Sequence, residues 1–549
     1  MVISVIYPES FSVKPNIEAT EGFKNLFNTS AQTAVNKNLT LIKGNYVFQS
    51  KNAQEKEFFI SNTISQKEYQ KNKRHGIHKT AIVIDGVKNM EIDCNDSNFI
   101  IDGQMTHIYI KNCENVSIKN LNIQTVLPDV HKITVLKAST FYVTFAIDNS
   151  SNFKEESGDF YWWGTDYKTK FNDAKHNDYV IPTACADNLN HLICNRKHPL
   201  QGASSIKQIS ERIFNVRYIT PKDFKVGQVF YIFSDKRNDV GIFIEKSNKI
   251  TLKNITQRFN RGHGVVAQNS ENITIDGCVF APDGKSEVDF CCLGDFLHFN
   301  MCRGRIIVSN CEFDSCGANL CNVHGNYFEI VEQDKDKMVL KFPKEQSFGF
   351  ESFKEGDVVA FVDSKSLVEV SRTKVLKAVL RDGIYYDLTI ATYDPPKKDG
   401  LVVENVSAYP QFVFDSNTVN RIAKRGVICS TRGKVRIENN RFLNTGMSDI
   451  VIENDALKRF ESGAVSDVEI SGNAFMNCEE SSIVIKPHIK KYVASIHKNI
   501  KIDNNLFVLK EACAVFAYAC DGLEVKDNTF AGNESQEKVV IKDTVNFQE

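Results

Sequence analysis

Short runs of the form aliphatic, two polar or small residues, Asn or Cys, any residue, then Phe recur along the chain. They are Ile275–Phe280, Val308–Phe313, Ile437–Phe442, Ile470–Phe475, Ile502–Phe507 and Val525–Phe530. Their first positions differ by 33, 129, 33, 32 and 23 residues. Related runs without the Phe stand at Ile118–Ile123 and Leu252–Thr256. Strand-length segments at a period of 20–50 residues are the mark of a solenoid, in which a coil buries its inward face only against its neighbours. The Asn at one template position predicts a ladder of stacked amides, and the Phe a column of stacked rings inside the coils.

Two steps are oversized, from 118 to 252 and from 308 to 437. Removing one ordinary coil from each leaves about 100 residues, enough for a small inserted domain. The two inserts echo one another, with Phe224-Lys-Val-Gly-Gln-Val229 in the first and Phe353-Lys-Glu-Gly-Asp-Val358 in the second, each followed by an apolar run. This predicts two related small β-barrels. Near the start, Phe23, Leu26, Phe27, Ala31 and Ala34 share a helical face over Glu21–Asn36 and predict a helix covering the open end of the first coil. The expected fold is therefore all-β: a right-handed parallel β-helix with two inserted β-barrel domains and an N-terminal capping helix. The expected units are 1–134, 135–240, 241–324, 325–410 and 411–549.

Composition narrows the function. The 67 basic and 68 acidic residues balance, which argues against nucleic acid or an anionic membrane as partner. No apolar run is long enough to span a bilayer, and Met1–Val13 lacks the basic start and apolar stretch of a signal peptide. As it stands the chain reads as soluble and cytoplasmic, or as secreted or periplasmic if a precursor was trimmed. The 15 cysteines show no zinc-type spacing and sit beside β-type apolar residues, so they are expected as buried free thiols; no metal and no cofactor is expected. Trp162 and Trp163 are expected to pack a barrel core. His75 and His78 are expected in a solvated loop.

The chemistry concentrates in Gly294–Gly325, GDFLHFNMCRGRIIVSNCEFDSCGANLCNVHG. Asp295, His298 and Arg303 form one polar cluster, and Asn319, Asn322 and His324 a second, one strand-length later. This stretch resembles the core motif of glycoside hydrolase family 110, the α-1,3-galactosidases, which reads roughly D-A-T-H-F then C-R-G, followed by D-D-A-x-N-V-H-G. A later stretch, Asn454–Gly463, is similar to that family's D-A-x-x-W-x-E-S-G, matching at Asp455, Glu461, Ser462 and Gly463, with Arg459 at the aromatic position. The resemblance runs from Gly44 to Phe530. It implies the β-helix with two barrels and an inverting exo-hydrolysis of terminal α-linked galactose on oligosaccharides or glycans. It places the catalytic carboxylates at Asp295, Ala318 and Asn319, and sugar contacts at His298, Arg303, Asn322, His324, Arg425, Asp455 and Glu461.

Glycoside hydrolysis needs an acid for the leaving oxygen and a base or nucleophile for the anomeric carbon. Of the implied carboxylates only Asp295 is present, since Ala318 has no titrating group and Asn319 keeps only the shape of Asp. Two function classes follow. One is an exo-glycosidase that uses a substitute acid, Asp314, Asp455 or Glu461; its activity is expected to be weak or absent. The other is a non-catalytic galactoside-binding relative. Departures at both the carboxylate pair and Arg459 favour natural divergence over a made inactivation.

Overall fold

A computed structural model describes residues 3–33, 35–173, 180–182, 191–192, 198–233, 238–284, 289–392, 396–397, 399–493, 495–532 and 537–548. Each coil contributes strands to three parallel faces. One coil, for example, runs through Glu271–Asp276 on the first face, Val279–Phe280 on the second and Leu297–Asn300 on the third. The next runs through Arg303–Ser309, Glu312–Cys316 and Cys321–Asp334, in register with the first at Ile275↔Val308, Phe280↔Phe313 and Leu297↔Cys321.

The inward face of every coil is apolar. Ile273, Ile275, Phe280, Leu297 and Phe299 join a single core that extends from Val13 to Val525. The amide ladder forms as the template predicts. Asn417 donates to Asn440, Asn440 to Asn473, Asn473 to Asn505 and Asn505 to Asn528, each through both its backbone N–H and its side-chain amide at 2.8–3.0 Å. Upstream the ladder passes to thiols, with Cys311 donating its N–H to Asn417 at 2.9 Å. The rings of Phe442, Phe475, Phe507 and Phe530 stack at 4.9–5.4 Å.

One coil escaped the template. Phe414-Asp-Ser-Asn-Thr-Val419 carries its aromatic ring at the first position and Val at the last. Phe414 nonetheless keeps the column continuous, 6.2 Å from both Phe313 and Phe442. The capping helix spans Thr20–Ala31 and buries Phe23, Leu26 and Phe27. It ends earlier than expected, because Asn36 already opens the strand Asn36–Thr40; Ala34 lies outside the described residues.

The inserts leave the solenoid at opposite ends of the third face. The first joins the second face to the third, ahead of Val240–Glu245, with its first strand beginning at Val130. The second grows out of the third-face strand Cys321–Asp334 and returns to the first face at Gln411–Asp415. It is a closed six-stranded antiparallel barrel, in ring order Cys321–Asp334, Lys337–Lys341, Tyr385–Ile390, Glu369–Arg381, Val358–Asp363 and Leu401–Asn405.

The first insert pairs its strands in the same order: Ala203–Ser210, Ile213–Tyr218, Tyr142–Ile147, Val130–Ser139, Val229–Phe233 and Val180–Pro182. Counted along the chain, the first strand pairs with the second and sixth, the fifth with the second and fourth, and the sixth with the third in both inserts, so the two share one sheet topology. The echoed Lys-x-Gly turn docks alike in both. Gly227 donates its N–H to Val135 at 2.8 Å, and Gly356 donates to Val375 at 2.8 Å.

Trp162 packs in the first insert's core against Phe171, with centroids 3.9 Å apart, as expected, whereas Trp163, expected there too, ends the strand Asp159–Trp163 on its outer side and is exposed. The described cysteines carry free thiols, buried except for half-buried Cys513. His78 departs from expectation. It is buried in the strand Ile77–Asp85 and stacks on Phe58 at 4.4 Å, because the Gln54–Glu57 strand covers it.

Candidate active site

Third-face register sets the site. Asp295 precedes Leu297, Asn319 precedes Cys321 and Arg425 precedes Val427, and these three strand starts are paired neighbours, so the turns before them form one row. On the outward side of the strands, His298 lies beside Asn322, and Asn300 beside His324. Asp295, His298 and His324 are each at most 1% exposed.

Within this row, Asp295 Oδ1 accepts from both the backbone N–H and the side-chain amide of Asn319, each at 3.0 Å. Its Oδ2 lies 3.2 Å from His298 Nδ1, and its N–H donates to His263 Nδ1 at 2.9 Å. His298 Nε2 meets His324 Nε2 at 3.4 Å, and His324 Nδ1 lies 2.7 Å from the Gly325 carbonyl. Burial holds the His324 pKa down at about 4, so its ring is neutral at pH 7. Its Nδ1 faces a carbonyl and must carry the hydrogen, which leaves Nε2 to accept from His298.

The second matching stretch arrives by strand pairing. Gly325 and Asn326 pair antiparallel with Ser462 and Glu461. Gly325 is required there, because a Cβ would lie 2.7 Å from Ser462 Oγ and 2.8 Å from the Tyr409 hydroxyl. Glu461 Oε2 lies 3.5 Å from the Asn322 amide, and its Oε1 is 2.7 Å from Lys344 Nζ. Burial alone would raise the Glu461 carboxyl. The charges of Lys344 and Arg459 override it and hold the group far below the ordinary carboxylate range. Glu461 is therefore a fixed anion.

The remaining implied residues do other work. The Ala318 methyl lies in the solenoid core with Cys316 and Leu320, which corrects its expected place as a catalytic position of the pocket. Arg303 makes a two-pronged ion pair with Asp357 at 2.8 and 2.7 Å and bonds the Ser407 carbonyl, tying the solenoid to the second barrel. The Asp455 carboxylate caps its own loop, accepting from the N–H groups of Leu457, Lys458 and Arg459. Asp314 is held by Arg421 Nε at 2.7 Å. Arg425 donates its backbone N–H to Asn319 Oδ1 at 3.4 Å. Arg459 pairs with Glu453, whose other oxygen meets His488 at 2.9 Å.

Sequence reading missed His263 and Lys344. His263 had a usable signal, since it stands one coil before Asp295 at the same place ahead of a third-face strand. Lys344 had none, because it reaches Glu461 from the second insert, 117 residues away. The same holds for Glu404, which is buried among Arg432 and Tyr409 and, through the Tyr409 hydroxyl, steadies Ser462 at 2.6 Å.

Residues 240–338 match the family described as right handed beta helix region, so the solenoid belongs to the class of right-handed parallel β-helices. A family 28 exopolygalacturonase of Yersinia enterocolitica is a similar solved structure, at a TM-score of 0.41 and 8% identity over 100% of this chain and 78% of that one. Sequence relatives are more informative. The chain is 30% identical over 480 residues to alpha-1,3-galactosidase A of Bacteroides thetaiotaomicron, spanning 86% of this chain and 82% of that one. It is 29% identical over 518 residues to alpha-1,3-galactosidase A of Bacteroides fragilis (90% and 82%), and 27% over 520 residues to alpha-1,3-galactosidase B of Parabacteroides distasonis (90% and 82%). The chain belongs to the α-1,3-galactosidase family, glycoside hydrolase family 110. No helix among its described residues is long and apolar enough to cross a membrane.

Proposed function

We propose that this chain recognises a terminal α-linked galactose of an oligosaccharide or glycan at the Asp295 cluster, and that it hydrolyses the linkage slowly or not at all. The carrying observation is the pairing of Asp295 Oδ1 with two N–H donors of Asn319, where the family pattern has a titrating carboxyl. An amide positions but does not move a proton, and a positioned proton-transfer group is worth roughly 10²–10⁴-fold. Asp314 and Asp455 are engaged by Arg421 and by backbone, and Glu461 is a fixed anion that can accept a proton but has none to give. His298, His324 and Asn322 supply the hydrogen-bonding groups that sugar hydroxyls require. The buried free thiols fit a reducing compartment.

A second reading, residual catalysis, draws on the contact of Asp295 with His298, which sets a carboxyl and an imidazole 3.2 Å apart, with Glu461 as the anionic partner.

The test is hydrolysis and calorimetric binding of α-1,3-galactobiose by the wild type and by Ala318→Asp/Asn319→Asp. Binding by both, with a rate gain of roughly 10² or more in the variant, supports the proposal. Full activity in the wild type, or no binding by either form, overturns it. A residual wild-type rate that Asp295→Asn abolishes favours the second reading.

A further inference from the structure

One coil away from the Asp295 cluster, a cleft opens between the lead-in turns of the third face and the first insert. Arg261 lies at its centre. The guanidinium bridges two carboxylates, with Nε 2.6 Å from Asp129 Oδ2 and Nη1 3.0 Å from Asp239 Oδ2. Gln104 donates to Asp129 at 3.3 Å and, through its backbone, to Asp166 at 2.7 Å. The outer bowl has a volume of about 350 Å³, within the range of small-molecule sites. Behind it a recess of about 30 Å³ runs in past Met105, Leu127 and the rings of Tyr167 and Phe259.

Two of the lining side chains, His107 in the recess and His78 in the bowl, each carry a buried nitrogen (Nδ1 and Nε2) with no hydrogen-bond partner among the described residues. Both side chains are more than nine-tenths buried. Buried polar atoms are normally satisfied, so an exception on a cavity wall marks the place where a ligand's polar group would complete the set.

We propose that this cleft is a second binding site, for a neutral hexopyranose, distinct from the Asp295 cluster. Three carboxylates (Asp129, Asp166, Asp239) and three cations (Arg74, Lys79, Arg261) line it, so the formal charge cancels and the cleft favours neither an anion nor a cation. A metal is further disfavoured because Arg261 already occupies the gap between the carboxylates. Among the described residues there is also no group of three or more side chains arranged to hold a metal. A pyranose fits the remaining chemistry. Its hydroxyls donate to carboxylates and accept from guanidinium N–H groups, its ring C–H face packs on an aromatic ring, and one hydroxyl satisfies His107. No residue lining the cleft belongs to the Asp295 cluster; His263, two residues beyond Arg261, marks the boundary by engaging Asp295 instead.

Met105 gives a local reporter, since the chain has only seven methionines and Met105 lines the recess. The experiment titrates galactose, glucose and mannose into protein carrying ¹³C-methyl methionine, with the Met105 signal assigned by Met105→Leu. At least one of these sugars shifts that signal in the wild type and in Asp295→Asn. His107→Phe, which deletes the unpartnered nitrogen and keeps the ring, weakens the response at least tenfold without lowering the melting temperature. Leu127→Trp, which fills the recess without touching a charge, abolishes it. The proposal is overturned if no sugar shifts Met105, or if His107→Phe and Leu127→Trp both leave the response intact, or if Asp295→Asn alone removes it. None of these outcomes depends on whether the Asp295 cluster binds galactose.

Discussion

Asn319→Asp is the most informative single change, because it restores a carboxyl where the structure shows an amide in direct contact with Asp295. The backbone N–H of residue 319 survives, but the side-chain N–H that now lies 3.0 Å from Asp295 Oδ1 is replaced by a lone pair. Two unit charges about 4 Å apart repel by about 4 kcal/mol at an effective dielectric near 20. The backbone N–H of residue 319, 3.0 Å from Oδ1, offsets part of this, leaving ~2–3 kcal/mol. The pair escapes by sharing a proton, which raises one carboxyl in the folded state above its unfolded value. A carboxyl raised on folding leaves stability intact below the ordinary carboxylate pKa of about 4, and stability is lost as pH climbs through the raised value. The variant should therefore match the wild type in urea unfolding near pH 4 and fall behind by ~2–3 kcal/mol by pH 8. A gap of the same size at every pH would refute the reasoning, since it would mean that residue 319 does not face the Asp295 carboxyl. The shared proton is also a general acid, so an accompanying rise in α-galactoside hydrolysis would tie the stability effect to the chemistry.

Three further outcomes are expected. Asp449 is fully buried beside Thr445, Cys478 and Ser482, and burial pushes its carboxyl up to about 7. Its contribution, full below the unfolded carboxylate pKa, is lost by an amount on the order of 4 kcal/mol as pH rises through about 7. Asp449→Asn should flatten that dependence in melts from pH 4 to 8, and an unchanged pH profile would count against it. Lys344→Met strands the Glu461 anion and should cost about 3–5 kcal/mol at pH 7, with a smaller loss near pH 4 where Glu461 can take up a proton; an equal loss at both pH values would show that packing and not charge is at stake. Asn473→Ala breaks the ladder at a buried position that donates to Ile437 and Asn505 and accepts from Asn440, which should cost ~2–4 kcal/mol in urea unfolding; a loss under 1 kcal/mol would mean that water replaces those bonds.

Most of the solenoid was legible because its determinants repeat. Asn440, Asn473, Asn505 and Asn528 meet the same neighbours one coil apart, so a local pattern reports a spatial contact. The exception was the Phe414–Val419 run, where the aromatic ring moved across the turn to the first-face strand while the column stayed continuous. The kinship of the inserts was legible only through the Lys-x-Gly turn, because their shared strand pairing joins segments far apart in the chain and leaves no common local pattern. The two stretches carrying the family resemblance are brought together through the pairing of Gly325–Asn326 with Glu461–Ser462.

The sequence by itself determined the period, the parallel β-helix and its apolar interior, because each follows from residues that recur at fixed spacing on a repeating backbone. Only the tertiary structure decided what those side chains face. It turned the Ala318 methyl into the core, spent Arg303 on Asp357 and Asp455 on its own loop, and brought Lys344 from the second barrel to fix Glu461 as an anion. It also set Asp129, Asp239 and Arg261 around one cleft. Apart from the Asp455 loop, the charge pairs among these contacts join segments tens to more than a hundred residues apart, and a charge's partner across such a distance leaves no periodic trace in the chain.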